Sequence, residues 1–199
     1  MKTSEVSVLS KVLLSITGVL FIVMMFVPLW SIYLWAPQYP EWLHLPMYTN
    51  GLRDSTNLDL RSINELNHYI GMKVLRTQDF FEFSILRYIL AFFALVSFLL
   101  LFSKKKIYEL LFLILFVLFA VAAMIDFYRW EYDYGHNLDS RAAIKIPDMT
   151  YQPPLIGSKQ LLNFTAYSMP DVGGWMLVAA GILLLIVVIK DFKFHDKKQ

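Results

Sequence analysis

Seven side chains outside the apolar runs of this chain could hold a metal: His44, His68 and His136 with Met47, Met72, Met149 and Met169. His44 and Met47 are three residues apart. His68 and Met72 are four apart and share a face if that segment is helical. Imidazole with thioether is a donor set that suits copper, which makes His44, Met47, His68, Met72 and His136 the candidate ligands. The bland alternative is packing, since isolated pairs of this kind are common and no dense Met tract is present. There is no Cys, so disulfides, thiolate metal sites and Cys nucleophiles are excluded.

Acid–base chemistry could draw on Asp126, Glu131, Asp133 and Asp139, but Arg129, Arg141 and Lys145 stand close enough in sequence to pair with them. No G-x-S-x-G, H-E-x-x-H or P-loop pattern occurs. No catalytic residue is expected, and the chain does not read as an enzyme. A third cluster is aromatic: Tyr128, Trp130, Tyr132, Tyr134 and Tyr151. It forms either the core of a folded loop region or a face for a partner, because Tyr, Trp and Arg are enriched where interfaces are strongest. A fourth set, His68, Arg87 and Asp126, would lie near a membrane surface and could meet a quinol.

The elements that must position these groups follow from hydropathy. The chain has 199 residues, 57% of them hydrophobic, against 45–50% or so for soluble domains. The excess falls in four runs, about 12–35, 83–102, 107–128 and 172–189, each near the ~20 residues that cross the hydrocarbon core as a helix. Pro28 is expected to kink the first. The runs carry no His, which excludes a transmembrane bis-His haem, and no charge near mid-membrane to suggest a transport path. The net charge of +2 gives no reason to expect nucleic acid.

If all four runs cross, the N-terminus, the Lys104–Lys106 turn and the C-terminus share one side. That side holds nine Lys against four acids, and the other holds nine basic residues against twelve acids. The excess of basic residues places both termini in the cytoplasm. The expected fold is all-α: one membrane domain over 1–199, a four-transmembrane-helix bundle with an outer cap made from loops 36–82 and 129–170. Within the cap a helix is expected from Asp59 to Met72, ended by Gly71, with Asp59 as its N-cap. Helical periodicity should run past the membrane to a break at Gly135, 157–164 should form a short surface helix, and Asp171 should cap the fourth span.

The segments Ile63-Asn-Glu-Leu-Asn-His-Tyr-Ile-Gly-Met72, Asp126-Phe-Tyr-Arg-Trp-Glu-Tyr-Asp-Tyr-Gly-His-Asn-Leu-Asp139 and Tyr151-Gln-Pro-Pro-Leu-Ile-Gly157, with Trp35-Ala-Pro-Gln-Tyr-Pro40, carry a resemblance. The chain resembles a family of small four-span membrane proteins encoded beside clade II nitrous oxide reductase and its copper-delivery lipoprotein in Bacteroidetes-type bacteria. The resemblance implies an inner-membrane protein with periplasmic loops, working beside a copper enzyme; it brings no set of functional residues. The expected role is an accessory subunit whose outer loops bind a periplasmic copper enzyme or a copper chaperone that matures it. Two rivals stay open: transient copper delivery through the outer His and Met, and a quinol-linked electron-transfer subunit.

Overall fold

The computed structural model describes residues 7–56, 58–146 and 149–193. The first apolar run divides where Pro28 enters it. α1 spans Val8–Met24, its N-terminus capped by Ser7, whose hydroxyl accepts from the Ser10 amide at 3.1 Å. Proline has no amide hydrogen, and its ring collides with the carbonyl four residues back, so the helix stops rather than kinks. The residues that follow, Trp30–Trp35, form a strand, β1. Their aromatic and β-branched side chains suit a pleated surface. The expected helix over 12–35 is thus a 17-residue helix followed by a strand.

That strand overturns the all-α expectation. β1 lies at the centre of a five-stranded antiparallel sheet with β2 (Leu43–Tyr48), β3 (Gly51–Leu52), β4 (Gly157–Leu161) and β5 (Phe164–Pro170), in the order β3-β2-β1-β5-β4. The segment expected as a surface helix, 157–164, is mostly β4. Both outer loops contribute, so β1 bonds to β2 on one side and to β5 on the other. One face carries Ile32, Leu45, Met47, Phe164 and Ala166, all buried; the other carries Ser31, Tyr33, His44, Tyr167 and Met169.

α2 (Asp59–Ile70) covers the apolar face with Ile63, Leu66 and Ile70. Leu58, not Asp59, occupies its N-cap position; Asp59 sits one residue inside, its amide bonded to Asp54. The helix ends as the sequence indicates. Gly71 takes a left-handed φ of 80° that a side chain would resist. Asn64 then holds the returning chain by two bonds to Leu75, at 2.7 and 3.1 Å.

Three helices are long and apolar enough to cross a membrane: Glu82–Phe102, Ile107–His136 and Val172–Lys193. The first comprises α3 (Glu82–Leu99) with a closing 3-10 turn; the others are α4 and α5. α1 packs between α3 and α5, and α4 packs on α5. Phe21, Phe93, Phe112, Phe116 and Leu184 form the bundle core. α1 with its exit turn runs the length of α5. At one end Lys190 bonds to Ser7, and Lys106 to the carbonyl of Asp191. At the other the Gly173 amide donates to the Pro28 carbonyl at 2.8 Å. The lysine-bearing turns thus share one end of the bundle and the sheet stands at the opposite end.

α4 has 30 residues, about 45 Å of helix, against a hydrocarbon core of roughly 30 Å. Its last turns therefore leave the bundle and enter the cap, where Phe127, Trp130 and Tyr134 pack into the core under the sheet. Gly135 does not break it. The missing side chain instead admits the chain at Gln152: a Cβ on Gly135 would lie 2.3 Å from the Gln152 backbone, and the Tyr151 amide donates to the Gly135 carbonyl at 2.9 Å.

Candidate functional site

The sheet separates the first candidate pair. His44 and Met47 differ by an odd number along β2, so their side chains leave opposite faces. Met47 is buried in the cap core. His44 stacks flat on Tyr33, ring centroids 4.3 Å apart. Its Nε2 lies 3.0 Å from the Ser31 hydroxyl and its Nδ1 2.8 Å from the Ser55 hydroxyl, while Ser31 donates to Asp171. Burial holds the His44 imidazole below its ordinary pKa, offset in part by the negative charges of Asp171 and Asp59. Both ring nitrogens are thus engaged by hydroxyls, and the network ties β1, β2 and the start of α5 together.

The second pair separates for a different reason. His68 is exposed on α2, but Gly71 turns the chain away before Met72, which packs on the cap core instead. His136 stacks on Tyr132 at 3.8 Å, its Nδ1 3.0 Å from the Tyr132 carbonyl. Met149 packs on the cap core and the Met169 sulfur accepts from the Tyr167 hydroxyl. Among the described residues no three of His, Cys, Asp or Glu converge as a metal-binding group.

The quinol set is spread over three elements. His68 lines an open groove on α2, with Asp54, Arg61, Glu65 and Tyr69. Arg87 is exposed on α3 and Asp126 half-buried on α4. Neither makes an ion pair among the described residues.

The aromatic set divides by helical phase. Tyr128 and Tyr132 face outward on α4, 47% and 48% exposed, and His136 extends the same row at four-residue spacing. Trp130, Tyr134 and Tyr151 face inward and belong to the cap core. Trp130 lies edge-on to Phe80 at 5.2 Å and stacks with Phe127 at 5.5 Å.

The acids also part ways. Asp133 pairs with Lys73. Asp139 is chelated by Arg141, whose hydrogen bonds hold its carboxyl down at about 2. Glu131 is the exception. It is completely buried, and neither carboxylate oxygen has a hydrogen-bond partner. It lines a cavity of about 60 Å³ enclosed by the sheet, α2 and α4. The walls are largely hydrocarbon, from Ile32, Leu45, Leu66 and Phe164, with Asn67 and the rings of Trp130 and Tyr134. Tyr151 also lines it, and its buried hydroxyl is likewise unpaired.

Sequence reasoning named Glu131 only as one acid among four. The usable signal was its phase: positions 127, 130, 131 and 134 share one face of α4. Nothing local marked Ser31, Ser55 and Asp171 as partners of His44, because three separate segments supply them. Comparison with known proteins finds no matching family model, no matching curated protein and no matching solved structure.

Proposed function

We propose that the chain is a membrane-anchored accessory subunit that binds an extramembrane protein through its cap. In this reading α1 crosses the bilayer beside α3, α4 and α5, the lysine-bearing end lies in the cytoplasm, and the cap stands in the periplasm of an inner-membrane protein. The partner is a copper enzyme of the nitrous oxide reductase type or a factor that matures it; that identity rests on the family resemblance alone. The observation that carries the docking role is the outward row Tyr128, Tyr132 and His136 on the part of α4 that rises beyond the bundle. Large, stiff aromatic side chains give up little entropy on binding and dominate interface energies. Tyr132 is already fixed against its neighbour. The open groove on α2, with both signs of charge around Tyr69, adds a polar border.

The test is affinity capture from native membranes with the tagged chain, in wild type and in Tyr128→Ala/Tyr132→Ala. Recovery of a copper enzyme or copper chaperone by the wild type and its loss from the variant is the expected result. Capture unaffected by the double variant would move the interface elsewhere, and capture of no such protein would remove the role. Copper delivery through His44, Met47, His68, Met72 and His136 draws no support from the geometry, since those donors point to different faces and elements.

A further inference from the structure

We propose that the cap cavity beside Glu131 is a binding site for a small monovalent cation of the ammonium type, with Glu131 as its counter-charge. Three observations carry this. First, the carboxyl is fully buried with both oxygens unpaired. A buried polar group without a partner is costly and a buried charge more so, so such a group calls for a partner such as a bound water or ion. Second, the same cavity holds two more unpaired polar atoms, the Tyr151 hydroxyl, which can accept as well as donate, and the Trp130 Nε1–H, which donates. Two carboxylate oxygens and a phenol oxygen suit the four N–H donors of ammonium, whereas hard divalent cations take six or more oxygens. Third, the remaining polarisable walls are the rings of Trp130 and Tyr134, and ring faces attract cations within about 6 Å. The volume of about 60 Å³ admits an ammonium or methylammonium ion. Water alone would also fit, since one molecule needs only ~10–15 Å³, and it would accompany the neutral acid, the state that the experiment below distinguishes from a bound cation.

The site also couples to protons. Without a cation the apolar surroundings favour the neutral acid; with one they favour the carboxylate, so binding releases a proton from Glu131. Of the described charged side chains around it, Lys159 on β4 acts on Glu131 electrostatically, and its ammonium is held by the Gln152 carbonyl at 3.0 Å. α2 offers Asn67, the cavity-facing residues of β1, β2 and β5 offer hydrocarbon, and Tyr134 and Tyr151 are the other titratable groups facing the cavity.

The experiment uses the full chain in lipid nanodiscs, with ammonium or methylammonium chloride added against sodium and potassium chloride at equal ionic strength. The infrared carbonyl band of a protonated carboxylic acid and the thermal midpoint are read together. Ammonium should bleach the acid band, release about one proton per chain and raise the midpoint, with tighter binding at higher pH. Glu131→Gln, an uncharged isostere, should fold without the cation and lose all three responses. Tyr151→Phe should weaken binding about tenfold, the worth of one hydrogen bond to a charged group. A methylammonium response equal to that of ammonium would identify the head of an amine-bearing ligand as a source; ammonium alone would identify the free ion. The proposal is overturned if no salt alters the acid band, which would leave a hydrated neutral acid, or if Glu131→Gln responds as the wild type does.

Discussion

Trp130 and Tyr128 are two residues apart on α4, yet their substitution should have opposite consequences. Trp130 packs against Phe80, Phe127 and Tyr134 in the cap core, so Trp130→Ala should cost about 3 kcal/mol, the usual range for emptying an aromatic site. Tyr128→Ala removes an outward ring and should stay within about 0.5 kcal/mol of wild type. Thermal unfolding of the purified protein in detergent distinguishes the two. His44 supplies a pH prediction at the same scale. Its pKa is lowered by burial in the fold, so the unfolded chain takes up the proton more readily. Its contribution to stability is therefore complete above the unfolded value of about 6.5 and is lost as the pH falls through the lower folded value. A pH series of unfolding midpoints should fall more steeply below 6.5 in wild type than in His44→Gln; identical slopes would remove His44 from the account.

At the scale of elements, α4 is the helix that runs unbroken from the bundle into the cap. It can do so because Gly135 leaves room for the 151–152 segment to cross its last turn. Gly135→Ala places a methyl group against backbone, which cannot step aside as a side-chain tip can. The expected cost is about 1–3 kcal/mol, as for other overpacked positions. Local exchange should show it: amides of 149–152 and of the last turn of α4 should lose hydrogen–deuterium protection while those of α1 keep theirs. Equal loss throughout the molecule would mean that the cap and bundle do not have separable stability. The sheet is built on a similar logic of edges. β3 has two residues and β4 five, short edge strands that offer little ladder for another chain to extend.

At the scale of the whole molecule, one buried cluster lies in the cap and the other in the bundle, and the chain enters and leaves the cap twice. The bundle's lysine-bearing end is closed by Lys190 with Ser7 and Lys106 with Asp191; the sheet closes the other. The native chain has no Cys, so single cysteines report topology without background. Ser158→Cys in the cap should react with a membrane-impermeant maleimide in intact spheroplasts, and Ser103→Cys at the helix turn only after the membrane is opened. Reaction of both from the same side would contradict four crossings.

The hydropathy of the chain determined by itself the three long apolar helices, the tight turn of lysines between two of them, and the helix of Asp59–Ile70 with its glycine stop. These follow from local periodicity and from backbone preferences that each segment carries alone. The sheet was decided only in three dimensions: β1 continues an apolar run that reads as helix, and its two partners come from strands 13 and about 135 residues away in the register. The same holds for the buried acid. One turn of α4 carries Tyr128, Trp130, Glu131 and Tyr132 alike, and their fates part only when the cap packs against one side of that helix. Sequence shows which side chains share a face; which face is covered, and which charge is left under it without a partner, depends on segments that are distant along the chain.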